Sequence, residues 1–378
     1  MIHYRPYEFR PASSVTVARW QVAQGTRKSM PNSRLNRNDR PIDRRRNGAG
    51  QAIIEGDVGP ILTVFPHREA RLFFICERGV TSAQMADQID PERTNPNMPQ
   101  FVQTPELRHG ASAPFIQRTL CVAAALFDQT YLPAHVSKDD AFALALEAAR
   151  ALAEVEDTII ALDANEAKIR GQLAAGEHKS HVVPKTPNLK GRVEGAVGHL
   201  REVALLAQKL AELFYPRPKS KTPFSEHLRN ALRSQLPAAD PFWPQVEWCL
   251  AQVERFFDYR NALIHGPRND QKFILRDYEI QPDGTLVAPT IEIIHPKNSL
   301  PRMDIGLFLK DARESISFAF EDFLVGFCDR NAPQRHIGIV YRVTESDRDR
   351  KTGTKFFWNG SFLLGFPLSA PEFGPQPK

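Results

Sequence analysis

The sequence has little of what would announce a metal centre or a secreted scaffold. Its four cysteines in 378 residues, Cys76, Cys121, Cys249 and Cys328, stand too far apart for paired zinc ligands and are too few for a disulfide framework. The histidines form no ligand spacing, since His178 and His181 share a loop without further partners. Gly191, Gly195 and Gly198 follow no strand and match no phosphate loop. No cofactor and no metal are therefore expected. Apolar runs are everywhere cut by charge before reaching bilayer length, and the arginines near the start precede no cleavable apolar segment. A cytoplasmic protein without a membrane span is the expectation.

What is present is enough apolar residue, 42%, against 25% charged, to build a substantial core and exclude a wholly disordered chain. The net charge of +5 is unevenly spread. Residues 1–50 hold eleven basic and three acidic side chains, a net of +8, which leaves −3 for the rest. Arg34, Arg37, Arg40 and the run Arg44-Arg45-Arg46 lie among Asn, Ser, Pro and Gly without helical or strand period. This stretch reads as a disordered basic arm: a solvated leader, or sequence upstream of a start at Met30, with a phosphate-binding tail as the sharper alternative.

The patterning predicts a mainly α protein, a helical bundle with a small β-hairpin insertion and short flanking β segments. Residues 51–103 read as short strands, Ile61–Phe65 and Leu72–Cys76, followed by a Pro- and Asn-rich loop. Residues 104–331 read as the bundle. Its clearest stripe is Leu189, Val193, Ala196, Leu200, Val203, Ala207, Leu210 and Phe214, in steps of three and four. A later helix carries Val246, Leu250, Val253, Phe257 and Ile264 and stops at Gly266-Pro267. A hairpin turning at Pro282-Asp283-Gly284 and a last helix from about Asp304 follow, and residues 332–378 read as a small β extension with a frayed tail.

The chemistry concentrates at Arg260-Asn261-Ala262-Leu263-Ile264-His265-Gly266. Continuing the stripe by the same steps puts Arg260 on the apolar face, where a guanidinium must either cover apolar surface with its stem or enter a groove. His265 falls at the helix end, where free carbonyls and the negative end of the dipole favour imidazolium. A titratable imidazole beside a permanent cation suits phosphate chemistry, one moving protons and the other holding anionic charge. Five residues separate the two by about 140° on an ideal helix, so convergence requires an unwound turn or a second protomer. Ordinary structural roles are the competing reading: His265 as a C-cap, Arg260 lying over Phe256 and Phe257.

The run Arg-Asn-x-x-x-His at the end of a bundle helix resembles the R-x4–6-H motif of the HEPN (higher eukaryotes and prokaryotes nucleotide-binding) family, over these seven residues and a helical frame of about 188–330. The resemblance implies a homodimeric, metal-independent endoribonuclease of toxin–antitoxin or defence systems, with RNA as substrate and an antitoxin or nucleotidyltransferase as a possible partner. It implies proton transfer by His265, charge stabilisation by Arg260 and orientation of the histidine or the RNA by Asn261. Arg330 to His336 and Arg192 to His199 fit the same loose spacing, but Pro333 and the interior of a helix, respectively, argue against them. A non-catalytic helical adaptor using the same bundle is the alternative.

Overall fold

The computed structural model describes residues 17–19, 40–47, 51–54, 56–68, 71–175, 182–217, 223–265, 270–333, 339–345 and 353–362. Near the N-terminus, β1 (Val17–Arg19) pairs antiparallel with β2 (Gln51–Ile53), and α1 (Pro41–Asn47) lies between them in sequence. The basic arm was expected to run through residue 50, yet α1 is held by a buried ion-pair network. The Arg46 side chain is 1% exposed, and its Nη2 donates to Asp90 Oδ2 at 2.9 Å and its Nη1 to Asp87 Oδ1 at 3.0 Å. Arg93 ties Asp43 of the same helix to Asp87. A desolvated guanidinium is tolerable only with such partners, and they lie more than forty residues away, out of reach of a local composition argument.

The chain then forms an antiparallel sheet in the order β3 (Ile61–Pro66), β4 (Leu72–Cys76), β5 (Val80–Met85) and β6 (Phe101–Leu107), with α2 (Ala86–Ile89) between the last two. β4 is buried on both faces: Phe73 and Ile75 join the main core, Phe74 and Cys76 a smaller one with Ile54 and Ala83. The main core continues into the helices through the stacked rings of Phe65 and Phe142, 3.9 Å apart. Between α3 (Pro114–Ile116) and α4 (Val122–Leu126) the helix widens into a π turn at Gln117–Cys121.

Four long helices run alternately up and down. α5 (Lys138–Ala174) starts at a Ser137 cap, and α6 (Leu189–Phe214) buries the whole predicted stripe. The short α7 (Phe224–Arg233) leads to α8 (Phe242–His265). Next, β7 (Lys272–Arg276), β8 (Glu279–Ile280), β9 (Leu286–Val287), β10 (Thr290–Ile294) and β11 (Leu300–Asp304) form a three-stranded sheet, β11-β10-β7, and a β8–β9 ribbon turning at Gly284 with φ +85°. Asp304 caps α9 (Ile305–Arg330) by accepting from Leu307 N at 2.9 Å. β12 (Ile339–Glu345) and β13 (Phe356–Phe362) close the described chain as a ribbon, anchored where Trp358 Nε1 donates to Leu126 O at 2.9 Å. Among the described residues no helix is long and apolar enough to cross a membrane.

The fold is therefore mixed α/β, about 52% helix and 19% strand, and the expectation of a mainly α bundle with a single hairpin is corrected. Two kinds of strand account for the difference. β5 (VTSAQM) is weakly apolar because its partners supply the burial, and both β6 and β11 contain a proline, which an edge strand admits because one side of its ladder is unpaired.

The crossing of α8 and α9 gives a clear stability test. Gly326 sits against the Phe242 ring, which an added methyl would overlap. Alanine normally gains about 1 kcal/mol over glycine inside a helix, but the overlap reverses the sign. Gly326→Ala is expected to destabilise by about 1–3 kcal/mol, read as a lower melting temperature by circular dichroism.

Candidate functional site

The end of α8 that carries Arg260, Asn261 and His265 lies beside the first halves of α6 and α9. The Arg201 guanidinium of α6 stands 5.2 Å from the centre of the Phe257 ring, and Tyr259 lies 6.0 Å ring to ring from Phe308. The opposite end of the bundle is closed by Phe214, Tyr215, Phe242 and Phe327. Along α8 the buried line runs Val246, Cys249, Val253, Phe256, Tyr259 and Ala262, and so turns away from the predicted Phe257–Ile264 line as the inserted sheet begins to pack on the helix. Ile264, expected inside, is 46% exposed. Arg260 is consequently half-buried at the border of the face rather than within it.

The three predicted residues are not brought to one point within the chain. Asn261 and His265, four residues apart and about 40° from each other around the helix, share one exposed edge. Arg260 turns toward the α6 side with Phe257 and Ile264, about 140° from His265. None of the three side chains makes a hydrogen bond or ion pair among the described residues, and residues 266–269, the expected helix stop, lie outside them. The ring of Phe257, expected to seat Arg260, is covered by Arg201.

Sequence reasoning missed what flanks this edge. Asp258 is two turns before His265 on the same face, and it accepts from Asn298 Nδ2 at 2.7 Å, with His295 Nδ1 3.6 Å away. His295 is buried, and its Nδ1 accepts the N–H groups of Lys297 and Asn298, both at 3.3 Å. The tight turn after β10 is thereby fastened to the motif helix. The only local signal was the turn-forming string His295-Pro296-Lys297-Asn298, and nothing in it points to Asp258.

Two other places in the fold gather charged side chains. A crevice of about 300 Å³ opens between β6, α5 and α6, lined by Glu106, Glu147, Arg150, Asp157, His199 and Glu202 among others. It contains none of Arg260, Asn261 and His265. Its His199, half of the alternative Arg192–His199 spacing, has Nδ1 3.7 Å from Glu202; His336, His178 and His181 lie outside the described residues. Beside the π turn, Glu321 is buried with its Oε2 3.9 Å from Arg118, while that guanidinium is already committed to Glu314, to Ser317 Oγ at 3.0 Å and to the face of Phe318. Burial, helped by the neighbouring Asp322, pushes the Glu321 carboxyl up to about 7.

No protein-family model, curated protein or solved structure matches the chain. The geometry of the site stands by itself.

Because the folded chain holds the Glu321 proton more tightly than an unfolded chain would, its contribution to stability is complete below about pH 4.5 and is lost as the pH rises through about 7. Each tenfold change in proton affinity is worth about 1.4 kcal/mol, so the loss is at most about 3 kcal/mol. Thermal unfolding of Glu321→Gln should match the parent near pH 5 and exceed it at pH 8. Identical pH profiles for the two proteins would contradict the assignment.

Proposed function

We propose that the chain is a HEPN-like, metal-independent endoribonuclease that acts as a homodimer. The observation that supports the reading is that Arg260, Asn261 and His265, whose side chains have no partner among the described residues, all lie in the last two turns of α8, at the pole of the helical frame opposite the aromatic one. Their divergence around α8 means that a complete site takes Arg260 and His265 from two copies. In the reaction, the RNA 2′-hydroxyl attacks the adjacent phosphorus and the 5′-oxygen leaves, giving a 2′,3′-cyclic phosphate and a 5′-hydroxyl. His265 moves the proton lost by the nucleophile or gained by the leaving oxygen, Arg260 holds the charge on the non-bridging oxygens, and Asn261 orients the imidazole or the RNA. A cytoplasmic location and a toxin–antitoxin or defence setting, with an antitoxin or nucleotidyltransferase partner, belong to the same proposal.

A second reading, a non-catalytic adaptor, draws on Ile264, a large apolar side chain 46% exposed between the two polar edges. RNA incubated with the purified full-length chain in EDTA separates the two. Cleavage that His265→Ala and Arg260→Ala each lower by about a hundredfold or more, while the dimer persists in sedimentation, is the expected result. Parent-like cutting by the double variant rejects the mechanism. Absence of cleavage by the parent, with a partner protein held at Ile264, favours the adaptor.

A further inference from the structure

The edge of α8 that carries Asn261 and His265 is flanked by the turn at 295–299, between β10 and β11. The main chain of this turn is held from inside. His295 is 8% exposed, its ring Nδ1 accepts the N–H groups of Lys297 and Asn298, and its main-chain N–H donates to Ser299 Oγ at 3.0 Å. Asn298 Nδ2 then fastens the turn to Asp258 Oδ2 at 2.7 Å.

What the fastened turn presents is a cation. Lys297 is exposed, and its ammonium has no hydrogen bond or ion pair among the described residues, although its main-chain N–H is one of the two on the His295 ring. The same contacts cover an acid of the motif edge: the Asp258 side chain is 19% exposed, with Asn298 on its Oδ2. Lys272, exposed and opposite Ile294 in the ladder, adds a further cation nearby, but the exposed Asp270 stands two residues before it. The positive charge of this flank therefore rests on Lys297.

Asp258 and His265 are seven residues apart, about 10 Å along the helix, with Asn261 between them. Lys297 is thus set back along α8 from His265, where a strand lying on the edge offers a different phosphate. A cation on a fixed main chain also loses less freedom on binding than one on a loose loop.

We propose that Lys297 is an RNA-binding residue, whose ammonium holds a phosphate further along the strand from the scissile one at His265. The inference rests on the ribonuclease reading for its ligand, single-stranded RNA, and on the turn for its place.

The test is the binding of a labelled single-stranded RNA, methylated at every 2′-hydroxyl so that it has no nucleophile, to the full-length chain at about 50 to 200 mM salt. Losing one phosphate contact on a single strand lowers the slope of log affinity against log salt by about 0.7. Lys297→Ala should show that drop, with affinity about three- to tenfold lower at low salt and an unchanged melting temperature. Lys297→Arg should restore both slope and affinity. In cleavage of unmodified RNA, Lys297→Ala should raise KM by a similar factor and keep kcat, as loss of uniform binding does. A slope that Lys297→Ala leaves unchanged overturns the proposal even if the chain cuts RNA, and so does a parent that does not bind. Binding that depends on Lys297 in a chain that cuts nothing supports the assignment, and it is then the ribonuclease reading that fails.

Discussion

The arrangement depends on burying one face of α6. The stripe Leu189, Val193, Ala196, Leu200, Val203, Ala207, Leu210 and Phe214 is wholly within the core, and α6 packs on three neighbours at once, α5, α8 and α9. Each fully buried leucine, valine or phenylalanine contributes about 1.5–3 kcal/mol relative to exposure, so this helix is a major source of cohesion in the chain. Because α5 and α8 run antiparallel to it and α9 parallel, the helix ends coincide at two poles. The pole at Phe214, Phe242 and Phe327 is filled with aromatic rings. The other collects the end of α8, the start of α9 and the inserted sheet.

How much of this could be read in advance follows from where each signal resides. α6, α8 and α9 were legible because an amphipathic helix repeats its signal every three or four residues over many turns, and the Asp304 cap and the Gly284 turn carry local chemistry of their own. β5, β6 and β11 were not, since a strand in a sheet takes its burial from neighbours that the local window does not contain. Arg46 failed for the same reason at longer range: a basic run looks solvated until the acidic partners of a different segment are placed beside it. The orientation of the candidate residues was only partly legible. A fixed step rule placed Arg260 and Ile264 inside, but the buried line of α8 turns once the sheet, and not α6 alone, becomes its neighbour.

That rotation bears directly on the chemistry. Asn261 and His265 keep a common edge, which Asp258 extends and to which the β10–β11 turn is fastened through Asn298 and His295. A helix terminus is ordinarily the least constrained part of a helix, as its last carbonyls have no partners within it. Here the attachment two turns earlier fixes the direction in which the edge faces. Arg260 receives no such support, and it lies on the side of α8 where Phe257 meets Arg201 of α6. A site that uses both groups must accept this divergence, and a twofold pairing of chains accommodates it because the arginine of one copy and the histidine of the other need not share a helix face.

The two poles differ in how their polar groups are engaged. At the aromatic pole, polar groups are consumed by structure: Arg330 pairs with Asp240 at 2.8 Å, and Asn331 donates to the Tyr215 hydroxyl at 2.7 Å. At the motif pole, the side chains of Arg260, Asn261 and His265 have no partner among the described residues, and neither has the buried Thr186 hydroxyl. An exposed group such as Asn261 or His265 exchanges water for a new partner on binding, whereas a group paired within the chain must first break that contact.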